Sequence, residues 1–387
     1  MRPPTLRLTF ALVELAGLPV RGQAPPIFAE PRIADAIQPY VDRGALAGAV
    51  VLVASPDKVL STDTVGYADV AAKTPIKADS VFWIASQSKP ITASALMVLV
   101  DEGKVKLDDP IAKYLPEFND LWVAVERDKD HLLLRRPKRA ITIRDILSHT
   151  SGLPFSSFLE SPTLDRLPLR DRVRSYAMTP LIYQPGEGYQ YSNAGINTAG
   201  RIIEVVSKMP YESFLQKRLF DPLGMKDTTF WPNASQIARI AKAYRPDKEK
   251  KLLEETSIGQ LQYPLDDHER QPMPAGGLFA TADDMRRFCQ MLLNGGTFEG
   301  KRILSESAVK ELTSRQTPKT LKESYGLGFA VGGDEFGHGG AYATNMSINP
   351  KTKRIFIWMV QHAGFPLDGG KAQGAARNAA NEAFGDR

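Results

Sequence analysis

The twenty residues Val81–Val100 read VFWIASQSKPITASALMVLV and carry one charged side chain, Lys89. Ser86 stands three positions before it. Residues three apart on a helix share a face, so the ammonium would sit beside the hydroxyl in apolar surroundings. Burial disfavours the charged form of lysine and lowers its pKa. A lysine in that state can take a proton from a serine. The segment is therefore a candidate nucleophile with a base beside it, in the pattern Ser-x-x-Lys. Its competing reading is a chance match in a core helix. Ser86, Gln87, Ser88, Lys89 and Pro90 interrupt the apolar run near its middle, which argues against a membrane span. Pro90 suits the first turn of a helix beginning near Ser86, and Gly103 suits its end. Such a helix would also aim free backbone N–H groups near the hydroxyl.

Two further groups could join this pair. Tyr191-Ser192-Asn193 follows a Pro-Gly-Glu-Gly turn and opens a helix, with Ser192 or Asn193 as its cap. Tyr191 can shuttle protons, and Asn193 can hold a substrate amide or a lysine head group. The plain alternative is a helix cap and nothing more. His338-Gly339-Gly340-Ala341 is expected to begin a strand. Its glycines would let a substrate lie along the strand edge, and the Ala341 N–H could contribute to an oxyanion hole. A Gly-rich turn with a surface histidine is the alternative there.

The elements that must position these residues follow from pattern and punctuation. A helix is expected over Pro31–Arg43, then strands at Ala49–Ala54 and Ser61–Asp69. A mostly helical middle includes the Ser86 helix, Thr142–His149 capped by Thr142, Tyr191–Lys208, Tyr211–Leu219 and Ala282–Leu293. Strands return at Gly326–Val331, Gly340–Ile348 and Arg354–Gln361, before an Ala-rich helix over Lys371–Phe384. Strands at both ends with helices between predict an α+β fold. One antiparallel sheet would be built from both termini and flanked by helices, with the large helical region inserted and a cleft between. The expected division is a catalytic domain over 25–387, its α/β part near 25–80 and 310–387 and its helical part near 81–309.

Composition narrows the function classes. The 387 residues are 43% hydrophobic and 24% charged, ordinary for a soluble globular protein. The 49 basic and 44 acidic residues leave a net charge of +5, too diffuse to suggest nucleic-acid binding. The run Arg135, Arg136, Lys138 and Arg139 reads as a solvated loop. The single cysteine, Cys289, excludes an intramolecular disulfide and reads as a packed thiol. The five histidines show no paired metal-ligand spacing, so no metal site is expected. Arg2 and Arg7 precede the mostly apolar Leu8–Val20, and Gly22-Gln23-Ala24 offers a small-residue cleavage site. Residues 1–24 thus resemble a secretory leader, with Glu14 an unusual charge inside it. The expectation leans to an exported protein, with a cytoplasmic one as the alternative. No other stretch could span a bilayer, so no stable membrane insertion is expected.

Taken together, Ser-x-x-Lys, Tyr-x-Asn and a late His-Gly-Gly resemble, in order and element type, the three active-site motifs of the serine β-lactamase and penicillin-binding-protein superfamily. Ile146-Leu147-Ser148-His149-Thr150-Ser151-Gly152-Leu153 is similar to a hallmark of its class C-like branch. So are Pro185-Gly186 with Tyr191-Ser192-Asn193-Ala194-Gly195, Pro222-Leu223-Gly224-Met225, and Pro274-Ala275-Gly276-Gly277-Leu278. That branch includes class C β-lactamases, D-alanyl-D-alanine carboxypeptidases, D-aminopeptidases and family VIII carboxylesterases. The resemblance implies Ser86 as nucleophile, Lys89 as its proton acceptor and Tyr191 as the second acid–base group. It implies Asn193 against substrate or Lys89, and an oxyanion hole from the Ser86 and Ala341 N–H groups. His149 would belong to a structural turn. His338-Gly339-Gly340 replaces the family's Lys-Thr-Gly, which puts recognition of a β-lactam carboxylate in doubt. No Gly-x-Ser-x-Gly elbow occurs. The implied activity is a serine hydrolase acting through an acyl-enzyme on a small ester or amide, with no cofactor. Short-chain carboxylic esters come first, with weak β-lactam hydrolysis beside them. D-alanyl peptidase or D-aminopeptidase activity, or a non-catalytic peptidoglycan-binding role, are the alternatives.

Overall fold

Every residue from Ala49 to Ala54 is apolar, so a strand there must be covered on both faces, because successive side chains point to opposite sides. The computed structural model describes residue 1 and residues 32–385, and the leader-like segment lies outside the described residues. In it, β1 (Gly48–Ala54), β2 (Val59–Asp69) and β3 (Thr74–Pro75) join β4 (Ala330–Gly332), β5 (Glu335–Gly339), β6 (Asn345–Asn349) and β7 (Arg354–Met359). They form one sheet in the order β4-β5-β6-β7-β1-β2-β3. Every pairing is antiparallel. The two ends of the chain meet where β1 pairs β7, with Val50 opposite Met359 and Leu52 opposite Ile357.

The two faces of β1 serve two different cores. Ala49, Val51 and Val53 pack with Phe356 and Trp358 beneath Ile33 and Ile37 of the Ile33–Asp42 helix and Ala372, Ala376, Ala379 and Ala380 of the Ala372–Phe384 helix. The alanine stripe lets that last helix lie close to the sheet. Val50, Leu52 and Ala54 face the larger core, with Ile355, Ile357 and Met346, against Met285, Phe288 and Cys289 of the Ala282–Leu293 helix. Cys289 is buried there, its Sγ 3.6 Å from Met346 Sδ, and burial pushes its thiol well up. The fold is α+β, with an antiparallel sheet drawn from both termini and a mostly helical insertion.

Within the insertion, Ser88–Asp101 runs through the centre of the large core with twelve of its residues buried. Thr142 caps the Ile143–Leu147 helix through a reciprocal pair with Asp145, as Thr-x-x-Asp predicts. Ser192, rather than Asn193, caps Asn193–Ser207 through its hydroxyl and the Gly195 N–H.

Several elements differ from the sequence expectation. The Ser86 helix proper begins at Ser88, after a tight three-residue turn over Ala85–Gln87. The strand expected over Gly340–Ile348 is confined to Asn345–Asn349, and His338-Gly339 closes β5 instead of opening a strand. Glycines that favour a reversal at 340–344 outweighed the apolar alternation that followed. The strand expected over Gly326–Val331 is only Ala330–Gly332, and Tyr211–Leu215 passes into a wider turn over Gln216–Phe220. The helical part also holds short antiparallel ribbons, Val123–Arg127 with Leu132–Arg135 and Ala243–Pro246 with Leu253–Thr256. Among the described residues no helix is long and apolar enough to cross a membrane.

Ile357 is fully buried at the seam between the terminal strands. Ile357→Ala is expected to cost about 2–5 kcal/mol of stability, the range for truncating a buried aliphatic side chain, read as a lower midpoint in urea unfolding.

Candidate active site

Ser86 sits in the tight turn Ala85–Gln87, immediately before the Ser88–Asp101 helix. Ala85 holds a φ of +46°, a left-handed conformation that costs free energy for a residue with a Cβ. The surroundings enforce it. Ile84 N–H bonds Leu278 O at 3.0 Å, and Trp83 Nε1 donates to Gly276 O at 2.7 Å. The turn leaves Ser86 half-buried at the cleft while the next residues enter the core.

One helical turn on, Lys89 is completely buried. Its Nζ lies 2.9 Å from Ser86 Oγ, 2.8 Å from Asn193 Oδ1 and 2.8 Å from Ala275 O. No carboxylate pairs with it among the described residues. Burial holds its pKa well below the usual lysine range. A neutral amine has two N–H groups, which match the two carbonyl oxygens of Asn193 and Ala275. Its lone pair is then left for the Ser86 hydroxyl proton.

Each partner is fixed in turn. Asn193 opens its helix with its own N–H on Phe155 O at 2.9 Å. The Pro274–Leu278 loop is stitched to both helices. Thr92 Oγ1 donates to Pro274 O at 2.7 Å, Leu278 N–H donates to Ser88 Oγ at 3.3 Å, and Ala275 N–H donates to Asn197 Oδ1 at 3.0 Å. A buried hydrogen-bond chain runs on from Asn197 Nδ2 to Tyr176 and from Tyr176 to Glu160.

Tyr191 lies just outside its helix, half-buried, with Lys89 Nζ 4.7 Å from the centre of its ring. Burial pushes its phenol well up, and the neighbouring Ser86 hydroxyl offsets this only in part. Burial thus disfavours the charged form of both the phenol and the amine. His149, buried in the 148–152 turn, packs its ring 4.7 Å from that of Tyr191. It makes no hydrogen bond to Ser86 or Lys89 among the described residues, consistent with a turn residue and not with a Ser–His pair.

His338 is buried on β5. Its Nε2 lies 2.9 Å from Tyr325 Oη, and its Nδ1 lies 2.6 Å from Gly339 O. The carbonyl can only accept, so Nδ1 carries the proton and Nε2 accepts from the phenol. Burial pushes its pKa down to about 3. A neutral ring with both nitrogens engaged offers no cation to a substrate carboxylate.

Gly340 follows, and here only glycine fits. A Cβ would stand 2.1 Å from Thr344 Oγ1 and 2.6 Å from Ile84 O. That close approach brings Ala341 beside the Ser86 turn. The Ser86 and Ala341 N–H groups have no protein acceptor among the described residues.

Ser86, Tyr191, Asn193, Ala275, Gly339, Gly340 and Ala341 line a cavity of about 310 Å³ whose remaining walls include Trp83, Phe155, Leu164, Gln260, Met273 and Gly276. None of its lining residues is charged. The outer wall is held by a buried ion pair, Arg270 Nε to Asp165 Oδ2 at 2.7 Å, and by Leu164 N–H on Gln260 O at 2.9 Å.

The structure thus brings together Ser86, Lys89, Tyr191, Asn193, Gly339, Gly340 and Ala341, with His338 behind them. Sequence reasoning missed the Ala275 carbonyl, although the Pro-Ala-Gly-Gly block was visible, and it missed Tyr325. Among the described residues no group of His, Cys, Asp and Glu could hold a metal ion.

The family profile described as Beta-lactamase matches residues 33–381. Protein Rv1367c of Mycobacterium tuberculosis strain H37Rv is 35% identical over 364 residues, covering 84% of this chain and 88% of that protein. EstCE1, described as a hydrolase with promiscuous acyltransferase activity, superposes with a TM-score of 0.75 at 24% identity, over 90% of this chain and 97% of the other. The D-amino acid amidase of Ochrobactrum anthropi SV3 gives a TM-score of 0.68 at 24% identity, over 90% and 98%. At these identities the two structures speak to the fold alone. The family profile and the mycobacterial relative span most of the chain, and on them this protein belongs to the beta-lactamase family.

Proposed function

We propose that this chain is a serine hydrolase that cleaves uncharged, short-chain carboxylic esters through an acyl-enzyme on Ser86. The observation that carries the reading is the buried Lys89 amine, its two carbonyl partners leaving the lone pair for Ser86. Lys89 takes the Ser86 proton as Oγ attacks the acyl carbon, and the oxyanion settles against the Ser86 and Ala341 N–H groups. Tyr191 gives its proton to the leaving alkoxide, and the Lys89 ammonium restores it. Water then attacks the acyl carbon. Its proton passes to the Tyr191–Lys89 pair, the C–Oγ bond breaks, and Ser86 regains its hydrogen as the acid leaves. Asn193 holds Lys89 in register throughout.

The substrate class follows from charge. With His338 neutral and no cation in the walls, a carboxylate entering the cavity would lose its hydration without compensation. This disfavours a D-alanyl-D-alanine carboxypeptidase, whose substrate ends in a carboxylate, and makes β-lactam hydrolysis weak. No acidic side chain lines the cavity, so the ammonium of a D-amino-acid amide gains no partner either. A purely binding role would leave the buried amine and the nearby phenol without purpose.

Wild type is expected to hydrolyse p-nitrophenyl butyrate, and Ser86→Ala to lose turnover while keeping its circular dichroism spectrum. A fully active Ser86→Ala, or an inert wild type, would refute the ester reading. Replacing the butyryl group by its terminal carboxylate analogue, the succinyl monoester, is expected to lower kcat/KM by about 100-fold, and equal rates would contradict the neutral cavity. Lys89 must be unprotonated to act. With its pKa depressed, kcat/KM should be flat above that pKa and decline as pH falls through it. A rate still climbing tenfold per unit near about pH 9 would instead indicate an ordinary lysine of pKa about 10.4.

A further inference from the structure

His149 grips the chain on both sides of Tyr191. Its carbonyl accepts the Gln190 N–H at 3.0 Å, and its Nδ1 accepts the Ser192 N–H at 3.2 Å. The same carbonyl also takes the Tyr183 hydroxyl at 3.0 Å. The ring packs 4.7 Å from the Tyr191 ring on one side and 4.6 Å from the Tyr325 ring on another. An Nδ1 that accepts carries no proton, so the ring hydrogen sits on Nε2, which has no partner among the described residues.

The residue holds a φ of +62°, a region costly for most side chains. Strain of this kind persists only where surrounding contacts over-determine it, and it gathers at functional sites. A buried imidazole with one nitrogen unpaired also costs free energy. A purely space-filling residue would do better with an apolar side chain. What the imidazole supplies, and an apolar group cannot, is an acceptor for the Ser192 N–H. That N–H shares its peptide plane with the Tyr191 carbonyl.

We propose that His149 is the positioning residue of Tyr191, its Nδ1 and carbonyl clamping the peptides on either side so that the phenol points at Ser86. The inference rests on the role proposed above for Tyr191. His149 is not a catalytic residue: it acts through Tyr191, and neither nitrogen reaches the reacting atoms.

Two amide substitutions separate this role from packing. His149→Asn puts a carbonyl oxygen where Nδ1 stood and tolerates the left-handed backbone. His149→Gln puts its amide where Nε2 stood and leaves the Ser192 N–H without an acceptor. Both remove the ring, so lost packing is common to the pair. For p-nitrophenyl butyrate, His149→Asn is expected to keep kcat within about fivefold of wild type, while His149→Gln loses about 100-fold in kcat with KM changed less than about threefold. Thermal melts and circular dichroism fix the folded fraction of each. Equal kcat for the two variants, or a loss carried by KM, would overturn the proposal. If the Gln variant does not fold, the Asn variant decides alone, since a kcat about 100-fold down would overturn the clamp. Tyr191→Phe in the same assay separates the two levels. Wild-type kcat there would overturn both the role of Tyr191 and the clamp. An inactive Tyr191→Phe beside a fully active His149→Gln would overturn the clamp only.

Discussion

Lys89 places an amine in a wholly buried position with three neutral oxygens around it and, among the described residues, no carboxylate. An ammonium there would pay a large desolvation cost without an opposite charge to offset it, so the charged form is disfavoured. The same constraint organises the insertion. The three oxygens come from the turn before the central helix, from the start of the Asn193–Ser207 helix, and from the Pro274–Leu278 loop. Any misplacement of these segments leaves a buried polar group unpaired, at a cost of about 1–3 kcal/mol. Satisfying the lysine and assembling the site are therefore the same event.

Around that amine the ionisable groups are kept uncharged by different means. His338 is tied at both nitrogens, to the Tyr325 phenol and the Gly339 carbonyl. His149 accepts a backbone N–H and is enclosed by aromatic rings. Tyr191 and Tyr325 are pushed up by burial. The compensated charges stand farther out, as in the Arg270–Asp165 pair that holds the outer wall. A site of this kind has a low local dielectric, where the field of two backbone N–H groups acts at greater strength than it would in water.

Much of this was legible in the sequence because it rests on side-chain type. Ser-x-x-Lys in an apolar run announced the buried lysine beside its serine, Thr142 announced its cap, Ser192-Asn193 offered a second, and the strand-rich ends announced the shared sheet. What stayed hidden rests on the backbone. The Ala275 carbonyl has no side-chain signature, and nothing local to Ala85 calls for a positive φ, which long-range contacts impose. The reversal at Gly340 was mistaken for the start of a strand because Gly fits either role, and only the nearness of the Ile84 carbonyl decides. His149 was read as part of a turn, which it is, but its grip on Ser192 spans more than forty residues of sequence. The short ribbons in the insertion, four or five residues a strand, lie at the lower limit of the length at which alternation can be read.

The pairing of β1 with β7 has a temporal consequence. Val50 and Met359 are about 300 residues apart in the chain, so the sheet closes across a very long loop, an arrangement that slows folding. A ribosome releases the Ser86 segment early but the β5 wall that brings Ala341 to it only near the end of synthesis. Until then Ser86 has no partner wall and Lys89 is free to stay hydrated and charged. Assembly of the surroundings of Ser86 is thereby timed to the completion of the chain, and a partly made polypeptide carries the serine without the wall that faces it.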